Sequence, residues 1–216
     1  MGIRKINSIK ENNNNIIKIV KESNDMYENE KYAYSLLKEN IPKFIECDDN
    51  TNTIIIEKIY GKTLKEIEIT NEIIVKLANA IKKIHNHIKD GKVFVHGDLH
   101  KENILYYNEE IYFIDFCCSR YDIPEVDYSA LEIHVLDTKE KIDLFYKVLG
   151  INANYDLLKK EKVKHCLNHL TWATTDDFKN INIKSKRIIE ENDELLEDDD
   201  FDYPGLIKLN NSENIE

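Results

Sequence analysis

Apolar residues follow two different spacings along the chain, and the change of spacing separates its first part from its second. In the first part they are largely β-branched and form short runs between polar turns, which is typical of strands. In the second part they recur every three or four residues, which is typical of helices that bury one face. The strands predicted on this basis are IIKIV (16–20), TNTIIIEKI (51–59), KVFV (92–95) and a hairpin of ILYY (104–107) with IYFI (111–114).

Turn and capping signals place the remaining elements. Four consecutive asparagines at 12–15 are a turn signal, so RKINSIKE (4–11) is expected to form a hairpin with IIKIV. A helix is predicted over residues 27–40, ending before Pro42, because a proline disfavours helical conformation in the residue before it. Thr70 is predicted to cap a further helix. The apolar stripe expected on that helix consists of Ile73, Leu77, Ile81, Ile84 and Ile88.

The order of these elements predicts an α+β architecture with two lobes. Strands mixed with one helix come first, and the pattern is mostly helical from Asp127 to about residue 197. We therefore expect a small antiparallel sheet lobe over residues 1–60 and a larger helical lobe over residues 61–216. The end of the second lobe, from about residue 190, is an acidic tail.

The loop VHGDLHKENIL (95–105) carries the candidate chemistry. If the hairpin that follows is centred on Glu109, Asn103 lies opposite Asp115, and directly paired residues have Cβ atoms roughly 5 Å apart. Asp98 is in the same loop. Amide and carboxylate oxygens are the hard ligands that Mg²⁺ prefers. The simpler alternative is that Asn103 and Asp115 only terminate strands and that Asp98 forms a local turn.

A lysine within the first long strand raises a second question. Lys18 shares a strand face with Ile16 and Val20, and a lysine on an apolar face needs a partner or a ligand. Glu30 lies beside the apolar stripe of the first predicted helix and is the favoured partner. Lys21 and Glu28 are the alternatives. The structural explanation, a lysine that reaches solvent along an apolar stem, also stays open.

These stretches resemble the aminoglycoside phosphotransferase and choline kinase-like family, which has the protein-kinase-like fold. The similarity is carried by HGDLHKEN (96–103), by IDF (114–116) and by IPEVD (123–127). IIKIV and ENEKYAYSLL (28–37) resemble the strand and helix that carry the ATP-contacting lysine and its glutamate partner in that family.

The resemblance implies a role for each matching residue. Asp98 would be the catalytic base, and Asn103 and Asp115 would hold Mg²⁺ across the ATP phosphates. Lys18 would contact the phosphates and pair with Glu30. The other implied residues are the adenine hinge, Glu57, Lys58 and Ile59, and Asp127, which would brace the catalytic loop.

The implied activity is ATP- and Mg²⁺-dependent phosphate transfer to a hydroxyl of a small molecule such as an aminoglycoside, choline or a sugar. Two alternatives are a small atypical protein kinase or ATPase of the tRNA-modification type, and a nucleotide-binding pseudokinase. The pseudokinase is suggested by the missing glycine-rich loop, since Gly2 is the one glycine before Lys18. The usual glycine is also absent from DFCCS (115–119), but the residues after the aspartate are not ligands, so metal binding can survive.

Charge and cysteine usage narrow the partners. The net charge is −11, but residues 188–216 carry eleven acids and one lysine, so residues 1–187 are close to neutral. The acidic balance argues against nucleic-acid and membrane-surface binding. The four cysteines have no C-x-x-C spacing, so neither a zinc site nor a disulfide framework is expected.

These features, together with the absence of a long apolar run, predict a cytoplasmic protein. Monomer and homodimer are both open. One option for the acceptor is a cation attracted to an acidic wall. The acids of such a wall would be Asp176, Asp177, Glu190, Glu191 and Glu194.

Overall fold

A computed structural model describes residues 7–21, 23–172 and 179–197 of the chain. The chain divides into two compact units between Asn152 and Ala153. This division differs from the expected lobes of residues 1–60 and 61–216, which stay a prediction.

A four-stranded antiparallel sheet begins the first unit, in the order β1-β2-β4-β3. The expected hairpin around the asparagines is confirmed, because Asn12 pairs with Asn15 across a two-residue turn. The third strand was not predicted, since its residues FIECD mix charge with apolar side chains and are largely exposed. The bounds are Ser8–Asn12 (β1), Asn15–Ile19 (β2), Phe44–Asp48 (β3) and Thr53–Glu57 (β4).

Helix α1 (Asn24–Leu36) begins at the Ser23 cap, whose hydroxyl accepts a hydrogen bond from the Met26 N–H. The helix ends at Leu36, whereas the sequence predicted that it would continue to residue 40, just before Pro42. Asn40 has a positive φ of 60° and lies against the edge of a later strand. Its carbonyl accepts from the Phe113 N–H, and its side-chain amide donates to the Ile111 carbonyl. The segment after the helix is therefore used to satisfy that strand edge.

The rest of the first unit consists of helices and two three-stranded sheets, ordered β10-β7-β6 and β5-β8-β9. The predicted strand 92–95 and the Thr70 cap are confirmed. Ile88 does not extend the helical stripe, because it lies in a short strand and is 68% exposed. The bounds are α2 Asn71–His85, α3 Glu125–His134, α4 Lys139–Leu149, β5 Lys62–Thr63, β6 Ile88–Lys89, β7 Lys92–Val95, β8 Ile104–Tyr107, β9 Glu110–Phe113 and β10 Arg120–Asp122.

The predicted register of the β8–β9 hairpin is wrong by one residue. Tyr107 pairs with Glu110, so the turn contains two residues, Asn108 and Glu109, rather than being centred on Glu109. Both turn residues have positive φ, 48° and 61°, which is the turn type whose twist suits a tight hairpin. Asn103 consequently lies opposite Ile114, whose N–H donates to the Asn103 carbonyl. The expected direct pairing of Asn103 with Asp115 does not form.

The second unit contains helices α5 (Tyr155–Trp172) and α6 (Lys179–Glu190) and a short 3-10 helix, Asp193–Glu197. Val163 and Leu167 form its buried centre, against which Ile189, Leu195 and Leu196 pack. Within this unit Lys159 pairs with Glu194, and Arg187 pairs with Glu191. Asp176 and Asp177 lie outside the described residues.

None of the helices in the described ranges is long and apolar enough to cross a membrane.

Candidate active site

Lys18 lies at the centre of the candidate site and joins two acids that are far apart in the sequence. Its amine donates to Glu30 at 2.6 Å and to Asp115 at 2.7 Å. Lys18 is 5% exposed and Glu30 is 1% exposed, so the pair is formed inside the protein. The two alternatives have other partners: Lys21 contacts Ser8, and Glu28 pairs with Lys31.

The ionisation of this cluster reflects burial and mutual attraction. Burial favours the neutral amine of Lys18, but Glu30 and Asp115 outweigh it and hold the pKa of Lys18 above its ordinary value. Burial raises the pKa of Glu30, against the attraction of Lys18. At Asp115 the attraction of Lys18 outweighs burial, so the pKa of that carboxyl is lowered. A positive Lys18 and a negative Asp115 are thus the stable forms near neutral pH.

The backbone turns sharply at Asp115. Its φ is +65°, in the left-handed region that few residues other than glycine, asparagine and aspartate adopt. The next residue, Phe116, is fully buried and its ring packs edge-on against Tyr34 of α1. This turn directs the Asp115 carboxylate toward Lys18 while Phe116 anchors the chain in the core. Non-glycine residues in this conformation concentrate at functional sites.

Asp98 and Asn103 form a second part of the site, within one loop. The Asn103 side-chain amide donates to the Asp98 carbonyl at 2.9 Å and to the Asp98 carboxylate at 3.3 Å. Since the amide nitrogen is turned toward Asp98, the carbonyl end of the Asn103 side chain is turned away from it. Asn103 directly precedes β8 and Asp115 comes shortly after β9. The two parts of the site therefore lie at the open end of this hairpin.

His96 connects the two parts. It is fully buried, and burial lowers its pKa, so the ring is neutral. One ring nitrogen lies 3.0 Å from the Ile114 carbonyl, to which it donates, and the other accepts from the Asp98 N–H. Both nitrogens are therefore used in holding the loop against the residue before Asp115. This geometry gives His96 a structural role.

Asp127 holds the loop that carries Asp98 from the other side. Its buried carboxylate accepts from the N–H groups of His96 and Gly97, each at 2.9 Å. The same carboxylate lies 2.9 Å from the Nε2 of His85. The sequence did not predict this contact. The available signal was the place of His85 beside Ile84 and Ile81 on the buried side of α2.

The predicted hinge is partly occupied by contacts within the protein. The Glu57 N–H donates to the Lys43 carbonyl, and the Lys58 N–H donates to the Asn14 carbonyl at 2.7 Å. The Lys58 side chain also pairs with Glu11. In this conformation these two N–H groups are therefore not available to an adenine base.

A cleft of about 930 Å³ lies along α1 and β3, and it does not include Asp98, Asn103 or Asp115. Its lining includes Tyr34, Asn40 and Phe44 as well as the hinge residue Glu57. The chemistry of the molecule is concentrated elsewhere, at Lys18 and the end of the β8–β9 hairpin.

The donor set suits a magnesium ion that is shared with a phosphate ligand. Among the described residues, no group of three or more histidines, cysteines, aspartates and glutamates is arranged to hold a metal on its own. The Asp115 carboxylate and the Asn103 amide oxygen would supply two hard ligands. Mg²⁺ commonly binds one or two protein oxygens and takes its remaining ligands from substrate phosphates and water.

Comparison with solved structures confirms the predicted fold class. The choline kinase LicA from Streptococcus pneumoniae superposes with a TM-score of 0.72 at 17% identity, over 88% of this chain and 92% of that chain. An ethanolamine kinase from Plasmodium vivax gives 0.60 at 16% identity, over 83% and 80%. The aminoglycoside phosphotransferase APH(2")-IIa, in its complex with streptomycin and ATP, gives 0.58 at 12%, over 77% and 86%. At these identities the likeness concerns the protein-kinase-like fold.

Two relatives are similar in sequence over part of their length. A probable serine/threonine-protein kinase BUD32 homolog from Archaeoglobus fulgidus is 28% identical over 95 residues, 44% of this chain and 45% of that protein. The KEOPS complex subunit Bud32 from Pyrococcus abyssi is 27% identical over 99 residues, 45% of this chain and 44% of that protein. The chain thus matches less than half the length of each.

A family model spans much more of the chain and corrects the family inferred from the motifs. The resemblance to aminoglycoside phosphotransferases and choline kinases holds for the fold, whereas the model that matches residues 4–149 is that of the RIO domain, an atypical protein-kinase-like family. The matched range includes Lys18, Glu30, Asp98, Asn103 and Asp115. Because the match covers more than half of the sequence and contains the whole candidate site, this chain belongs to the RIO domain family.

Proposed function

We propose that the protein is an ATP- and Mg²⁺-dependent phosphotransferase whose acceptor is a serine or threonine hydroxyl of a protein. The observation that carries the proposal is the Lys18 cluster, in which one buried amine contacts both Glu30 and Asp115, with Asp98 and Asn103 at the same end of the hairpin. Phosphoryl transfer needs positioning and charge stabilisation more than covalent help from the protein. This arrangement supplies both.

Each residue has a distinct task in this proposal. Lys18 binds the α- and β-phosphates, and Glu30 fixes the position of its amine. Asn103 and Asp115 hold the magnesium ion, which neutralises the phosphate charge when it is bound. Asp98 orients the acceptor hydroxyl and accepts its proton late in the transfer.

Sequence similarity supports a protein as the acceptor. The family is one of atypical protein kinases, and the Archaeoglobus relative is described as a probable serine/threonine-protein kinase. The Pyrococcus relative is described as a subunit of the KEOPS complex, so action together with protein partners is part of the proposal. Simple ATP hydrolysis is the related outcome if no acceptor hydroxyl occupies the site.

The segment between Asp115 and Asp127 supports a site that is active without phosphorylation of the segment. It contains eleven residues, and three of them form strand β10, which pairs with β7. A regulated protein kinase has a much longer segment here, ending in A-P-E. Activation by phosphorylation of this segment is therefore not part of the proposal.

Phosphorylation of a small molecule is the second candidate. It is favoured by the extent of the fold similarity to choline kinase, which covers 88% of the chain. The idea of an acidic wall for a cationic acceptor gains little support. Among its acids, Glu191 pairs with Arg187 at 2.7 Å and Glu194 pairs with Lys159. These two carboxylates are already neutralised within their own unit.

The acceptor can be identified by one parallel experiment. The purified chain is incubated with Mg²⁺ and γ-labelled ATP, and label is followed into the chain itself, into a generic Ser/Thr protein substrate, and into a panel of choline, ethanolamine, aminoglycosides and sugars. We expect label in protein serine or threonine, confirmed by mass spectrometry, and none with Asp98→Asn. Glu102→Gln, an exposed acid of the same loop, is the matched control. Transfer only to a small molecule would replace the main proposal with the second candidate.

A further inference from the structure

We propose that Cys117 and Cys118 form a vicinal dithiol that a hydroperoxide oxidises reversibly to a disulfide, and that this oxidation weakens binding of Mg²⁺-ATP at the adjacent site. The effect on the nucleotide rests on the proposed function. Formation of the disulfide does not, and it is tested separately below.

The two sulfur atoms are already close. The Sγ atoms of Cys117 and Cys118 lie 3.9 Å apart. Adjacent residues in an extended strand point to opposite faces, so neighbouring cysteines there do not meet. Here they lie in a turn, closed by the hydrogen bond from the Ser119 N–H to the Phe116 carbonyl. Cys118 is partly exposed and Cys117 is 7% exposed, so an oxidant reaches Cys118 more readily.

This turn contacts the residues that precede Glu30 and Asp98. The Cys117 carbonyl accepts from the side-chain amide of Asn29, the residue before Glu30. The Cys118 carbonyl accepts from Arg120 and packs so closely on Gly97 that a Cβ there would lie 2.3 Å away. Gly97 precedes Asp98, and Asp115 precedes the turn by one residue. Movement of these two carbonyls is therefore transmitted to the neighbours of Glu30 and Asp98.

Oxidation proceeds in two balanced steps. The Cys118 sulfur attacks one oxygen of the hydroperoxide, an S–O bond forms, the O–O bond breaks, and the leaving alkoxide takes up the thiol proton. The Cys117 sulfur then attacks the resulting sulfenic acid, so an S–S bond forms, the S–O bond breaks and water leaves with the second proton. Two thiols lose two electrons, which reduce the hydroperoxide to an alcohol and water. A dithiol reductant reverses the change by exchange.

Ring closure must alter the backbone. The sulfurs have to approach from 3.9 Å to bonding distance. The ring that closes includes the peptide between Cys117 and Cys118, so this peptide rotates. Its rotation disturbs the carbonyls of Cys117 and Cys118, which accept hydrogen bonds from the side chains of Asn29 and Arg120. We therefore expect the oxidised turn to shift Asp115 and the Gly97–Asp98 peptide from their positions in the reduced protein.

The other cysteines provide controls within the same chain. Cys47 is exposed and Cys166 is buried. Neither shares a tryptic peptide with the dithiol, because residues 102–120 contain no internal lysine or arginine and include Cys117 and Cys118 alone among the cysteines. The state of the pair can therefore be measured on one peptide.

Peptide mass spectrometry tests the disulfide directly. The full chain is treated with hydrogen peroxide, the remaining thiols are blocked, and the protein is digested. Peptide 102–120 is expected to lose two hydrogens, to regain them with dithiothreitol, and to behave identically in Cys47→Ser. Cys118→Ser should abolish the change. A peptide that stays fully blocked by the thiol reagent, that carries only sulfonic acid, or that is crosslinked to Cys47 would overturn the proposal.

Nucleotide binding tests the consequence. In calorimetric titrations, peroxide should weaken Mg²⁺-ATP binding by the wild type about tenfold, a loss that dithiothreitol restores. Cys118→Ser, or Cys118→Ala if the serine variant does not fold, should bind equally before and after peroxide. Unchanged affinity of the oxidised wild type would overturn the regulatory part. Absence of binding by the reduced protein would overturn the proposed function with it, while the mass measurement still decides the disulfide.

Discussion

The Lys18 amine lies 2.6 Å from the Glu30 carboxylate, although the two residues are twelve positions apart and almost no solvent reaches either one. Burying two charges is costly unless each has a close partner. Glu30 has Lys18 as its partner, whereas Lys18 also contacts Asp115 at 2.7 Å. The geometry therefore holds an ammonium group beside the acid that we propose as a metal ligand, where the phosphates of ATP would lie.

Glu30→Gln should damage both stability and nucleotide binding. Removing one partner leaves Lys18 as a buried charge with weaker compensation, which costs on the order of 3 kcal/mol of unfolding free energy. Urea unfolding and ATP titration measure the two effects. Glu28→Gln, on the exposed side of the same helix, is the control and should change neither one. Equal behaviour of the two variants would show that the buried pair contributes nothing.

Gly97→Ala should inactivate the protein for two reasons, backbone strain and a steric clash. Gly91→Ala is the control that has only the backbone strain. Both glycines have positive φ, 81° and 75°, so both variants carry similar backbone strain, about 1 kcal/mol. A Cβ at Gly97 also meets the Cys118 carbonyl at 2.3 Å, whereas nothing lies within 4 Å of one at Gly91. The melting temperature should therefore fall much further for Gly97→Ala than for Gly91→Ala. Equal losses would mean that the close packing of the loop on the Cys118 turn is unimportant.

Asp127→Asn should lower stability at neutral pH by on the order of 3 kcal/mol, because the amide cannot accept all the hydrogen bonds from His85, His96 and Gly97. Burial opposes ionisation of Asp127, but these partners outweigh it and hold its pKa below 3.8. A carboxyl with a lowered folded pKa stabilises the protein fully above its ordinary pKa, and this contribution is lost as the pH falls below about 3.8.

The loss of stability on acidification should therefore be smaller in Asp127→Asn than in the wild type. Denaturant unfolding at a series of pH values from 7 downward measures it, with exposed Asp143→Asn as the control. An acid dependence that is identical in Asp127→Asn and the wild type would contradict this assignment.

Glu109→Gly should stabilise the hairpin. Glu109 has a φ of 61° in a two-residue turn, where Asn-Gly is the preferred pair. Relief of the left-handed strain should raise the unfolding free energy by about 1 kcal/mol, less the added entropy of the unfolded glycine. A rise in melting temperature checks this. A fall would favour the three-residue loop expected from the sequence and thus the other register.

The sequence predicted residue types well and exact pairing poorly, for physical reasons. Lys18 and Glu30 are recognisable because a charged residue on an apolar strand or helix face must find a partner. The hairpin register depends on the turn, and the turn requires a positive φ at Glu109. A glutamate in the sequence gives no signal for that conformation. The contact of His85 with Asp127 joins residues 42 positions apart, and such contacts follow from the packing of helices that local patterns do not specify.

The most direct test of the account is to measure Mg²⁺-ATP binding and phosphate transfer together in Asp98→Asn. In the proposed function Asp98 acts on the acceptor, and Lys18, Asn103 and Asp115 act on the nucleotide. The variant should therefore bind Mg²⁺-ATP within about twofold of the wild type. It should transfer phosphate at least ~100-fold more slowly. Glu102→Gln should match the wild type in both measurements. Transfer by Asp98→Asn at the wild-type rate, with intact nucleotide binding, would contradict the proposed catalytic site.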